Sequence, residues 1–197
     1  VLDKRPVMKK LTKLRQFAPF IGACLLLNSC NKSEVKHYDL LPSEKEPEMD
    51  ITVYGTLTVN RENSGGKTAG EGSLKVVDND YGTKFLINPY QNDLYIELAF
   101  PGGIAATAYI VASANDAQDR DPKDWELVGS NDRSSWTTID SKTGYKFDSR
   151  NQKVRFEINN IVKYKYYRLQ IQAIYGGTGL FQLAEWRLIS DPQKSSN

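Results

Sequence analysis

Cysteine is scarce in this chain, and its placement matters more than its number. Two cysteines occur in 197 residues, Cys24 and Cys30, both near the start. The remaining chain therefore has no means of building a disulfide framework or a cysteine-based zinc site. Histidine is scarcer still: His37 stands alone, in a polar segment. A Ser-His-Asp or Cys-His mechanism needs a histidine held rigidly beside its nucleophile, and nothing after residue 50 offers one. Long apolar runs are missing too. The mostly apolar residues 17–27 fall short of the roughly 20 that a membrane-spanning helix requires. No window carries a helical stripe of useful length. A basic stripe is also lacking. The formal net charge is +2, but residues before Cys30 hold six bases against one acid, which leaves 20 bases against 23 acids from Cys30 onward. A mildly acidic body gives no footprint for a phosphate backbone, so nucleic acid is not an expected partner.

What is present begins with an address. Met8-Lys9-Lys10 opens a basic run ending at Arg15, the apolar residues follow, and then comes Leu27-Asn28-Ser29-Cys30. A basic segment, a short apolar segment and a small residue before the cut describe a secretory signal peptide over residues 1–29, with Met8 the true start. The Leu-x-Ser-Cys ending resembles a bacterial lipobox, which implies cleavage before Cys30 and lipidation of its thiol. Residues 30–50 then read as the lipidated cysteine and a flexible linker. Glu34, Glu44, Glu46, Glu48, Pro42 and Pro47 keep that stretch polar and extended. Residues 31–34 (NKSE) weakly resemble the signals that send Bacteroidetes lipoproteins to the cell surface. The expected location is the bacterial outer membrane or cell surface, with the membrane touched only through the lipid anchor.

The body is written in period two. Ile51, Val53, Leu57 and Val59 predict a first strand over 51–59, and residues 74–77 a second short one. Leu94, Ile96 and Leu98 alternate strictly, as do Thr107, Tyr109 and Val111. Pro101-Gly102-Gly103 between them reads as a turn. Residues 121–132 (DPKDWELVGSND) place Trp125 and Leu127 on one face of a strand bounded by turn signals. Trp136 opens the next strand, and both tryptophans read as core anchors. Val154, Phe156 and Ile158, then Tyr167, Leu169, Ile171 and Ala173, continue the pattern; Ala184, Trp186 and Leu188 close it. Strands at this spacing predict an all-β antiparallel sandwich over residues 51–190, followed by a polar tail over 191–197. About 140 residues is a size at which a domain buries roughly two-thirds of its surface and folds without covalent staples.

Five segments stand in a familiar order: SANDAQDR (113–120), DPKDWELVGSND, Ser135-Trp136-Thr137-Thr138, Tyr166-Tyr167-Arg168-Leu169 and Leu183-Ala184-Glu185-Trp186. Together they resemble the F5/8 type C (discoidin) domain, whose carbohydrate-binding members form family 32 of the carbohydrate-binding modules. The resemblance implies a galactose-binding-domain-like jelly roll of eight or so strands. It also implies structural calcium in the loop Asp78 to Thr83, with Asp78, Asp80, Thr83 and Glu185 as ligands. The chemistry agrees, because calcium takes six to eight oxygens at flexible angles, and an acid in an apolar run needs a partner. Carried over in the same way, Arg120 sits near a hydroxyl-binding arginine and Phe181 near a stacking aromatic. Galactose-binding members often show Trp-His after the calcium loop. Phe85-Leu86-Ile87-Asn88-Pro89-Tyr90 stands here instead, so Asn88 and Tyr90 are candidates for another sugar.

The expected function is a non-catalytic glycan-binding lipoprotein module. An adhesion or assembly module for an envelope protein is the alternative. No paired acids mark a glycosidase, and Gly176-Gly177-Thr178-Gly179 lacks the lysine and following helix of a phosphate loop.

Overall fold

A computed structural model describes residues 46–159, 161–177 and 179–194, all within the compact unit Ser43–Asn197. The signal peptide, Cys30, most of the linker and the last three residues of the tail lie outside the described residues.

The chain enters on β1 (Met49–Asp50), two residues earlier than predicted, and continues through β2 (Thr56–Val59), β3 (Phe85–Ile87), β4 (Leu94–Ala105) and β5 (Ala108–Ala112). Then come β6 (Pro122–Ser130), β7 (Thr137–Lys142), β8 (Lys153–Glu157), β9 (Lys163–Ile174), β10 (Phe181–Leu183) and β11 (Glu185–Ser190). Every pairing is antiparallel. One sheet runs β2-β4-β9-β6-β7, a second β1-β11-β5-β8, and β10 pairs with β3 alone. The chain is thus the all-β sandwich that its alternation predicts.

The core lies between the two larger sheets. Leu94, Ile96 and Leu98 of β4, Trp125 and Leu127 of β6, and Leu169 and Ile171 of β9 meet Tyr109 and Val111 of β5 and Trp186 and Leu188 of β11. Period two explains this: one register puts every second side chain inward. The other parity on β11 is buried as well. The 3-10 turns Thr52–Tyr54 and Ser73–Val76 lie against that strand, so Glu185 and Arg187 are covered rather than solvated.

Four local expectations need correction. The predicted strand over 51–59 is interrupted by the turn Thr52–Tyr54. Ile51 is buried, with its N–H donated to Leu188 O at 2.9 Å. Val53, expected inward, is 68% exposed. The short strand over 74–77 is a 3-10 turn, held at its start by the Glu62 carboxylate, which accepts from Ser73 N–H at 2.9 Å and from the Ser73 hydroxyl. Pro101 to Gly103 make no turn between strands. They are an irregularity inside β4, between the paired residues Ala99 and Ile104. Trp125 is fully buried, but Trp136 is half-exposed outside the core, where its Nε1 donates to Arg133 O at 3.1 Å and its ring packs on the Arg168 guanidinium.

Candidate functional site

Two regions carry chemistry. The first is a junction of three loops at one end of the sandwich. The stretch 113–121 leaves β5, residues 88–93 leave β3, and the glycine-rich stretch 175–180 joins β9 to β10. Backbone bonds tie them: Gly176 N–H to Asp119 O at 2.7 Å, Tyr175 N–H to Asp121 O at 2.9 Å, and Tyr90 N–H to Gly179 O. Glycine is required at 176, where a Cβ would lie 2.3 Å from the Cβ of Asp119. Gln182 and Arg150 pin the middle loop. Gln182 Nε2 donates to Asp116 O (2.6 Å) and Ala117 O (3.0 Å). Arg150 donates to Asp116 O (2.9 Å) and grips the buried Asp121 carboxylate with both terminal nitrogens. Burial pushes the Asp121 carboxyl up, while the Arg150 guanidinium opposes the rise.

Between the end of β9, the 175–180 stretch and Tyr90 of the 88–93 loop lies a cavity of about 360 Å³, lined by Tyr90, Gln172, Ala173, Ile174, Gly177 and Gly179. The predicted residues divide around it. Tyr90 forms a wall, its hydroxyl donating to Ile171 O at 3.1 Å. Burial, aided by Asp124 and Asp93, pushes that phenol up to about 12, so it stays a neutral donor. Arg120 is on the adjoining loop. The acids beside it are engaged elsewhere, Asp116 by Lys84 at 2.7 Å and Asp121 by Arg150. Among the described residues its guanidinium has no ion pair. Asn88 is exposed two residues before Tyr90 and does not line the cavity. Phe181 is a correction. Its ring is 0% exposed, 6.2 Å from Phe85 and 6.3 Å from Tyr90 between centroids. A ring with no free face cannot stack on a sugar; Phe181 instead supports Tyr90 from beneath.

The second region is a carboxylate pocket under the loop 78–83. Thr83 Oγ1 lies 3.1 and 3.0 Å from the two carboxylate oxygens of Asp78 and 3.0 Å from Asp80 O. Asp78 Oδ1 also accepts from Asp80 N–H at 3.0 Å. Burial works against the Asp78 charge, but the Asp80 amide, Lys75 and Thr83 outweigh it and hold the carboxyl below its usual range. The Asp80 carboxylate turns onto its own loop, accepting from Gly82 N–H at 2.9 Å. Glu185 is 0% exposed, and neither of its carboxylate oxygens makes a well-formed hydrogen bond, although Asp78 and the Asn79 amide lie near enough to act on its charge. Burial pushes it up to about 8; Asp78 adds to the rise and Arg187 opposes it. The Arg187 contact is a loose ion pair at 3.5 Å, because that guanidinium is committed to Asp50 (2.7 Å) and to Val77 O (2.9 Å). No cluster of three His, Cys, Asp or Glu side chains forms among the described residues. Two carboxylates, a hydroxyl and loop carbonyls nonetheless fit a hard cation, and the two orphaned oxygens of Glu185 are the observation in its favour.

Sequence reasoning missed Arg150 and Arg187. Neither carries a local signal: Arg150 meets an acid 29 residues away, and Arg187 one 137 residues away.

Comparison with known proteins bears on the fold. No family model matches the chain. The family 32 carbohydrate-binding module of Clostridium perfringens NanJ, solved with galactose, superposes with a TM-score of 0.58 at 10% identity, covering 73% of this chain and 100% of that one. CpGH89CBM32-5 from Clostridium perfringens, in complex with GalNAc-beta-1,3-galactose, gives 0.56 at 17% identity, covering 70% and 96%. An F5/8 type C domain from Bacteroides fragilis gives 0.59 at 12% identity, covering 76% and 99%. The structural neighbours are thus family 32 and F5/8 type C domains, and this chain shares their β-sandwich. A stretch of 52 residues is 50% identical to peptide-N(4)-(N-acetyl-beta-glucosaminyl)asparagine amidase of Arabidopsis thaliana, spanning 26% of this chain and 7% of that relative.

Proposed function

We propose that this domain is a non-catalytic glycan-binding module whose ligand enters the cavity at the three-loop junction. The cavity carries the reading. It is concave, partly apolar and walled by a tyrosine held in place from below, with an arginine on the adjoining loop that makes no close ion pair among the described residues. Such sites bury a sugar face on an aromatic surface and take its hydroxyls with a few placed polar groups. The neighbours solved with galactose and with GalNAc-beta-1,3-galactose support a sugar as the ligand class.

In this reading calcium is structural. Glu185 and Asp78 would hold it, with Thr83 and loop carbonyls completing the shell, and its chemistry is to neutralise the buried acids and stiffen the loop. The module is tethered through Cys30 to the outer membrane or cell surface.

Two measurements test the proposal. In glycan-array screening followed by calorimetry, Arg120→Ala is expected to weaken the best ligand about tenfold or more, the scale of a lost hydrogen bond to a charged group. No ligand across host and plant glycans would overturn the glycan reading. Intact mass of protein from the native host is expected to show a diacyl-modified cysteine at position 30 with nothing before it; an unmodified mass would remove the anchor.

A further inference from the structure

Resting on the glycan reading of the loop junction, we infer that the ligand is a neutral polysaccharide chain, which leaves the cavity and runs along the outward face of β9. That strand turns Gln172, Gln170, Arg168 and Tyr166 outward in succession, opposite in parity to the buried Leu169 and Ile171. The strip begins at the cavity, because Gln172 is one of its walls. From Gln172 to Tyr166 it extends about 20 Å, the length of several sugar units and far more than one terminal sugar occupies.

Aromatic rings flank the strip and are fixed in advance. The Arg168 guanidinium carbon lies 3.8 Å from the centroid of Tyr95, on β4, and 4.0 Å from that of Trp136, just before β7. Arg133 stands 4.1 Å over Tyr166. One buried acid sets both arginines: Glu97 accepts from Arg168 Nε at 2.7 Å and from Arg133 Nε at 3.0 Å. An ion pair whose acid is covered pays a desolvation cost that an apolar trio avoids, so stability alone is a poor reason for it. Its evident effect is to lock three rings on a sheet face before any ligand arrives, which cuts the entropy cost of binding.

The remaining chemistry of the face selects the occupant. Gln170, Gln172 and Glu126 make no side-chain hydrogen bond or ion pair among the described residues. Gln170 pairs across the sheet with both Tyr95 and Glu126, which puts amide, ring and acid in one row. Arg133 and Arg168 are balanced by Glu97 and Glu126, so the face has no net pull on a polyanion. Among the described residues the exposed large hydrophobics are Met49, Val53, Tyr54, Leu74, Val162 and Tyr175, none of them on this strip. A protein interface core would want such anchors. Rings, free amides and balanced charge suit a neutral polyhydroxylated chain instead.

Trp125 and Trp186 are fully buried, so a ligand-induced shift in tryptophan emission reports Trp136. The full chain would be titrated with soluble neutral polysaccharides (xyloglucan, mixed-linkage glucan, galactomannan) and with the component monosaccharide of whichever binds. The polymer is expected to shift the emission and its monosaccharide to leave it unchanged. Trp136→Ala, and separately Gln170→Lys, are expected to weaken the polymer about tenfold while changing monosaccharide affinity less than about twofold; Arg120→Ala should weaken both. Gln170 is partly exposed, so that variant keeps the test open if Trp136→Ala folds poorly. Unchanged polymer affinity in both face variants, with Arg120→Ala still weakening it, overturns this inference and leaves the loop-junction reading standing. Tighter, salt-sensitive binding of a polyuronate overturns the neutral assignment. Binding of no glycan by any form overturns both readings.

Discussion

Phe181→Ala is expected to lower the stability of the domain by about 3–5 kcal/mol, the cost of removing a large ring from a packed core. Total stabilities run near 5–15 kcal/mol, so the loss is a large share of what holds the fold. The ring belongs to the central cluster and packs edge-on to Phe85. It lies on β10, whose register with β3 (Phe181 opposite Ile87) positions the loop that carries Tyr90. Binding will fall in the same variant, but through collapse of that support and not through loss of a stacking face. Urea unfolding followed by tryptophan emission separates the two. The midpoint should drop sharply in Phe181→Ala, and Phe181→Leu should recover most of it together with binding. A Phe181→Ala protein with an unchanged midpoint and no glycan binding would restore the stacking role and contradict the packing.

Glu185 gives the second large effect, through pH. Its folded carboxyl is pushed up to about 8 from an ordinary value of 4.5, chiefly by burial. The folded state therefore keeps a proton that the unfolded chain has already released. The sign follows from linkage: in chelated protein this group's contribution is fully present below about pH 4.5 and is lost as pH rises through about 8. Calcium bound at Glu185 would reverse the trend, since it would bind the charged form and its stabilisation would grow over the same interval. At a hundredfold excess over its dissociation constant the ion is worth about 2.7 kcal/mol, or several degrees of melting temperature. Melting curves at pH 5 and pH 8.5, with calcium and with chelator, are expected to show chelated wild type losing stability at the higher pH and calcium restoring it. Glu185→Gln should remove both responses. Taking the difference between wild type and variant cancels other titrating groups such as Asp121. A wild-type melt indifferent to calcium at pH 8.5 would dismiss the ion.

Strict alternation made the inner strands legible. Leu94, Ile96 and Leu98, or Trp186 and Leu188, can face inward in only one register, and they do. Segments without a period were not legible. Residues 73–76 offer too few positions to tell a 3-10 turn from a strand, and the deciding contact, Glu62, lies eleven positions upstream. The site was legible as a set of segments but not as a geometry. A phenylalanine after a glycine-rich stretch reads the same whether its ring faces solvent or core, and packing against Phe85 settles it inward. Tyr90 reaches the cavity because its amide meets Gly179, a partner that no local pattern announces. Trp136 looked like Trp125 in sequence, yet its ring lies outside the core, bonded to Arg133 O and packed on the Arg168 guanidinium, partners that no local pattern announces.

The pairing of β1 with β11 sets Met49 beside Ser190, while the loop junction adjoins the other end of β11, where Glu185 pairs with Ala112. Mechanical load therefore acts differently by direction. A pull on the two ends of the domain peels β1 away one rung at a time, a low-force failure. A pull between Met49 and the far end of β11 instead runs lengthwise along β1 and loads both of its rungs, Met49 with Ser190 and Asp50 with Ile189, at the same time. A module anchored before Met49 and holding polymer at the loop junction would be loaded in that second direction.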